Sequence, residues 1–258
     1  MKVCLIDQSC GLGDILLSIK IGCEYARKGY RVIWPIEPVY KNLQQKIAAK
    51  NNIEFPCVDD DFDFKDTYNI LKNSEIPDPY QINEVLCLPL RRSFHSHAGR
   101  KMEAMGESHD ACNMLGKFAA CGLHHNNWQD YFEIKRDTER ENQLIEVLKI
   151  GKKFHFVNKL FGTPPRWKEK LNQEIETPKH LQRIEMDFIK GFDIFDWISV
   201  FERAAKIDSV STSTFYFFEK ISLNCTPTKY CRNTNFRSFD ENFNWLKAFA
   251  KKQYNFIC

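Results

Sequence analysis

A short apolar run, a glycine-bracketed turn and a long helical stretch open this chain, and few folds accommodate that succession. Lys2-Val3-Cys4-Leu5-Ile6-Asp7 reads as a buried strand, Ser9-Cys10-Gly11-Leu12-Gly13 as a turn, and Ile15 to Arg27 as a helix. Strand, turn and helix in that order aim backbone N–H groups and the positive end of a helix dipole at the carboxyl end of the strand, where an anion is stabilised. The two glycines permit close approach to a ligand or a positive φ. Asp14 falls in the first helical turn, beside that crevice. A carboxylate there either caps the helix or takes a proton from a substrate hydroxyl. The turn is not a dinucleotide fingerprint, because Leu16 stands where a third small residue is required. No Gly-Lys-Ser/Thr follows to make a P-loop.

The rest of the chain continues the alternation of strand and helix. In the first half, strands are predicted at 31–35, 53–58 and 84–88, and helices at 39–50, 66–72 and 111–120, with a loop from Arg91 to Gly106. Residues 127–132 change character and mark a boundary. A helix over 136–150 then opens a second series, with strands at 153–158, 183–186, 207–210 and 228–231. Helices are predicted there at 196–205, at 213–223 and, terminally, at 239–254. The pattern predicts an α/β fold of two Rossmann-like domains facing a cleft, residues 1–135 and 136–258. Ligand sites of such sheets lie at the carboxyl ends of the strands.

Composition removes several classes of function. A net charge of +3 in 258 residues, with both signs interspersed, gives no electrostatic case for nucleic acid. No apolar window is long enough for a membrane-spanning helix. The opening residues lack the apolar core of a secretory signal, so none is expected. The ten cysteines are scattered without a Cys-x-x-Cys pair, and several sit in apolar runs, which predicts a reduced, cytoplasmic protein.

Two stretches carry a family resemblance. Gly11-Leu12-Gly13-Asp14-Ile15-Leu16-Leu17-Ser18 resembles the opening of GT-B glycosyltransferases of the heptosyltransferase-like superfamily. In those enzymes a Gly-Asp-x-Leu turn opens the acceptor domain and its Asp is the proposed catalytic base. The resemblance implies that role for Asp14, and an acceptor domain over 1–135. Phe192 to Phe215 is similar to the donor-domain end of the same enzymes, where a strand leads into an Asp-Thr-Gly or Asp-Thr-Ser turn. Here the turn is Ser211-Thr212-Ser213, so Ser211 replaces the acidic residue. Its hydroxyls and N–H groups, with Thr214, suit a nucleotide diphosphate. A plain Ser/Thr cap on a core helix is the alternative. The intervening sequence looks more like the compact glycosyltransferase-like proteins of phages and large DNA viruses, for which the location would be the host cytoplasm.

Further candidates come from strand exits and loops. Asn158, Lys159, Gly162 and Thr163 follow a predicted strand, and with Arg166 they are donor or phosphate contacts: lysine as a point charge, arginine as a fork of donors. Arg91, Arg92 and His95 are acceptor-side candidates. His97 or His95 is the second candidate base, since the ordinary pKa of histidine suits proton transfer near neutrality. Asp59-Asp60-Asp61-Phe62-Asp63 contains the Asp-x-Asp spacing of a divalent-cation site, yet it reads as a solvated acidic loop. The His and Cys residues between 95 and 125 fit no common zinc spacing. The resemblance thus implies metal-independent transfer of a sugar to a glycan hydroxyl. It requires no cofactor beyond a nucleotide-diphosphate sugar as co-substrate, and no nucleic-acid partner. A non-catalytic nucleotide or sugar-phosphate binding protein, or a nucleotide-sugar epimerase of GT-B type, is the alternative.

Overall fold

The computed structural model describes residues 1–91, 113–161, 169–232 and 246–257. The chain divides into two compact units, Met1–Lys135 with Asn244–Phe249, and Arg136–Phe243 with Ala250–Cys258. A parallel α/β sheet organises each.

In the first unit β1 (Val3–Ile6) runs into α1 (Leu12–Arg27), and β2 (Arg31–Ile33) follows. Then come α2 (Leu43–Lys46), β3 (Ile47–Ala49), β4 (Ile53–Glu54) and α3 (Lys65–Asn73). A hairpin of β5 (Tyr80–Ile82) and β6 (Val85–Leu88) precedes α4 (Asn113–Ala120) and β7 (Phe132–Ile134). The main sheet has the order β4-β2-β1-β6-β5, parallel except for the β5–β6 hairpin. The chain steps outward from β1 to β2 and β4, then returns to β6 on the other side of β1. That reversal makes a topological switch point between β1 and β6, where α/β sheets open a crevice at their carboxyl ends. Strand β1 is buried throughout, as a continuous apolar run in a parallel sheet should be.

Two expectations for this unit are corrected. Residues 39–50 are not one helix: a 3-10 turn at Pro38–Tyr40, α2 and β3 occupy them. Ile47, Ala48 and Ala49 find antiparallel partners in Ile134, Glu133 and Phe132, and that ladder takes the backbone groups a helix would have used. The hairpin strand β5 was not foreseen. Its turn rests on Asn83 at φ 54, a left-handed conformation that asparagine tolerates.

The second unit begins with α5 (Thr138–Val147), β8 (Phe154–Asn158) and a small antiparallel pair, β9 (Leu160–Phe161) with β10 (Glu169–Lys170). β11 (Gln182–Glu185), α6 (Ile198–Arg203), β12 (Lys206–Val210) and α7 (Thr214–Lys220) follow. β13 (Thr228–Tyr230) and β14 (Asn255–Ile257) complete it. The sheet is parallel throughout, in the order β11-β8-β12-β13-β14. Its switch point lies between β8 and β12. Phe156, Trp197, Phe201, Phe217 and Phe218 pack ring to ring beneath it, which is where the phenylalanine-rich composition goes. The terminal helix expected over 239–254 is also corrected. Residues 246–249 are helical, but Asn255–Ile257 extends to pair with β13.

Among the described residues no helix is long and apolar enough to cross a membrane. Seven described cysteines are free thiols, whereas Cys231 is disulfide-bonded, so the expectation of a uniformly reduced set is corrected.

Candidate active site

Beyond β1 the chain leaves the sheet through Asp7, Gln8 and Ser9, all buried. Asp7 N–H donates to the Leu88 carbonyl at 2.9 Å, and Arg91 N–H donates to the Asp7 carbonyl at 2.8 Å. These bonds tie the ends of β1 and β6 together at the switch point. Trp34 Nε1 donates to the Gln8 carbonyl at 3.0 Å, fixing the turn from the core side. Gly11 then takes φ 77, and Ile15 N–H closes the first helical bond onto its carbonyl at 3.0 Å. A Cβ at Gly11 would lie 2.8 Å from Asp14 Oδ2. Glycine is therefore needed there twice, for the backbone angle and for the carboxylate folded over it.

The other oxygen of Asp14 is anchored from a distant element. Lys117 of α4 donates to Asp14 Oδ1 at 2.5 Å and to Gln8 Oε1 at 2.6 Å. The lysine side chain is fully buried, while that of Asp14 is 34% exposed. A buried ammonium requires an anion, and Asp14 supplies it without being sealed off itself. Among the described residues Asp14 is hydrogen-bonded by Lys117 and not by a helix-end amide, so of the two readings of this carboxylate the cap is the one the geometry does not use. Burial raises the thiol pKa of neighbouring Cys10, against the pull of the Arg91 guanidinium. Burial, reinforced by Asp7, likewise raises the Tyr68 phenol. The predicted residues Gly11, Gly13, Asp14 and Arg91 thus all fall at one end of the sheet, with Arg91 exposed.

In the second unit Asn158, Lys159 and Ser211 to Thr214 follow β8 and β12 at their carboxyl ends. They divide into two groups. Asn158 is buried, accepts from Leu160 N–H at 3.0 Å and donates to Ser209 Oγ at 3.4 Å, which shapes the strand exit. Ser211 and Thr214 are also buried. The Ser211 carbonyl accepts from Arg232 Nε at 2.6 Å, and the Thr214 hydroxyl sits 2.9 Å from Ser209 Oγ and 3.0 Å from Lys229 Nζ. Thr212 and Ser213, by contrast, are partly exposed, with their hydroxyls 3.5 Å apart. Lys159 is 14% exposed and lies 3.8 Å from the Glu174 carboxylate, which offsets its charge. Arg92, His95, His97, Gly162, Thr163 and Arg166 lie outside the described residues.

The acidic run engages the protein locally: Asp60 Oδ2 accepts from Cys57 N–H at 3.1 Å, and Asp63 pairs with Arg31 at 3.2 Å. Among the described residues no three His, Cys, Asp or Glu side chains converge as a metal site would. Sequence reasoning missed Gln8, Lys117, Lys229 and Arg232. The one available signal was Lys117, a lone cation within the apolar helix Met114-Leu115-Gly116-Lys117-Phe118-Ala119-Ala120.

No family model and no curated protein matches this chain. Among solved structures, it is similar to the glycosyl transferase family 9 crystal structure from Veillonella parvula DSM 2008, at a TM-score of 0.42 and 11% sequence identity, over 89% of this chain and 80% of that one.

Proposed function

We propose that this chain is a glycosyltransferase that moves a sugar from a nucleotide-diphosphate donor to a glycan hydroxyl without a metal ion. The observation that carries the reading is Asp14: a partly open carboxylate at a sheet switch point, folded over Gly11 and anchored by one oxygen to a buried lysine. A carboxylate so oriented accepts the proton of an acceptor hydroxyl as that oxygen attacks the anomeric carbon. The likeness of Gly11–Ser18 to the heptosyltransferase-like opening points the same way. The first unit then serves the acceptor and the second the donor. At the second unit's switch point, Lys159 and the hydroxyls of the partly exposed Thr212 and Ser213 are the groups that meet the leaving diphosphate, whose charge grows in the transition state.

Asp14→Asn keeps an oxygen for Lys117 and removes the base. Turnover, followed as loss of nucleotide sugar by mass spectrometry, is expected to fall by about 10²–10⁴-fold, while the donor-induced rise in melting temperature persists in the variant and in EDTA. If donor binding disappears together with turnover, Asp14 has a structural role instead. If EDTA abolishes the donor shift, the transfer is metal-dependent.

A further inference from the structure

We infer that Lys117 is the positioning residue for Asp14, so that the proton of the attacking hydroxyl is received at Oδ2 and at no other oxygen of that carboxylate. The inference rests on the reading of Asp14 as the base. Lysine is almost never fully buried unless paired, and Lys117 donates to Asp14 Oδ1 at 2.5 Å and to Gln8 Oε1 at 2.6 Å. The contact joins residues 103 apart in sequence and is not a neighbour pair on one helix.

Gln8 is itself immobilised. Its Nε2 donates to the Cys10 carbonyl at 2.6 Å, and its own carbonyl accepts from the buried Trp34 indole at 3.0 Å. Trp34, Gln8, Lys117 and Asp14 therefore form a continuous chain of hydrogen bonds from the core to the open carboxylate. Rotation of the Asp14 side chain would break the charge-assisted bond at Oδ1, so the anchored orientation is favoured. In that orientation Oδ2 lies over Gly11. In the transfer step the acceptor O–H proton passes to Oδ2 while its oxygen bonds the anomeric carbon. The bond from that carbon to the diphosphate breaks, and the electron pair leaves with the diphosphate. Lys117 donates throughout and never receives the proton.

The test compares Lys117→Met, which keeps length and removes charge, with Lys117→Arg, which keeps charge, in the full chain. The wild type is first assayed against UDP-, GDP-, ADP- and CMP-sugars with simple glycosides as acceptors. With the donor consumed, Lys117→Met should lower kcat about 100-fold, the cost typical of a misplaced catalytic group, and leave the donor KM within about twofold. Lys117→Arg should recover a substantial part of kcat. In crystals of Lys117→Met the Asp14 carboxylate should leave its place over Gly11. An unchanged kcat in Lys117→Met overturns the inference. So does a loss of kcat that tracks a falling melting temperature with no recovery in Lys117→Arg. If the wild type consumes no donor, the transferase reading fails, and the crystal structure alone judges the anchor: Asp14 unmoved in Lys117→Met overturns it.

Discussion

Two fully buried lysines, Lys117 and Lys229, set the residue scale, and they behave oppositely. Lys117 has a carboxylate; Lys229 has hydroxyls and a ring. Fully buried in β13, Lys229 donates to Thr214 Oγ1 at 3.0 Å and Ser209 Oγ at 3.4 Å, with Nζ 4.3 Å from the Phe218 ring centre. Burial pulls its pKa well below 10.5, opposed by the charge of Glu219. The unfolded chain therefore binds more protons between that lowered value and 10.5, so this residue makes stability rise with pH across that window. Lys229→Met removes the desolvation and leaves Ser209 and Thr214 bonded to each other at 2.9 Å. The variant should be more stable at pH 7 by about 1 kcal/mol or more, with the advantage shrinking toward pH 10. Denaturant melts at both values check this, and a variant weaker at both would show that the lost hydrogen bonds outweigh the burial. Lys117 left one sequence signal, its place as a lone cation in an apolar helix, and Lys229 left none. Residues 228–231 read as a strand, but nothing local shows that β13 lies between two parallel neighbours and is buried at all three positions. Asp14 was legible because its glycine turn is local, whereas its partner is not.

At the scale of elements, the same distinction between local and distant partners decides what the sequence discloses. β1, β6 and most of β8 are apolar runs that announce themselves. β3 and β14 exist because β7 and β13 offer edges far along the chain, and no local pattern encodes that. The pairing of β8 with β12 also creates a buried polar contact. His155 Nε2 approaches Asp208 Oδ2 at 2.8 Å, off the line of a good hydrogen bond, and Lys206 Nζ donates to the same oxygen at 2.6 Å. Burial pushes the Asp208 carboxyl up, but His155 and Lys206 together bring it below its ordinary 3.8. With a lowered folded value, the stability from Asp208 is complete above pH 3.8 and is withdrawn as pH falls from there through the lower folded value. Asp208→Asn should therefore be less stable than the wild type at neutral pH, and the difference should close as pH drops below about 4. Acid titrations of both by circular dichroism measure it; a gap independent of pH would assign the effect to packing.

Over the whole molecule, the C-terminal stretch serves both units in turn, which no composition shift announces. Residues 246–249 belong with the first unit. There the Phe249 carbonyl accepts from Trp128 Nε1 at 3.1 Å and Gln129 Nε2 at 3.0 Å, and its ring meets Phe118 and His125. A few residues later Lys251 N–H and Tyr254 Oη donate to Glu219 of the second unit at 2.8 and 2.7 Å, and the chain enters β14. Trp128 lies in a 3-10 turn that packs on α1, and Phe118 lies in α4, which also packs on α1; these helices carry Asp14 and Lys117. Phe249→Ala should cost about 3–5 kcal/mol, as for a fully buried aromatic ring. The loss should be local: amide exchange should quicken in α1, α4 and the Trp128 indole while β8 and β12 stay protected, as expected where stability resides in separate cooperative units. A rise in exchange spread evenly over both sheets would mean that the chain opens as one unit. A rise confined to the second sheet would mean that Phe249 supports β14 and not the helices behind the candidate base.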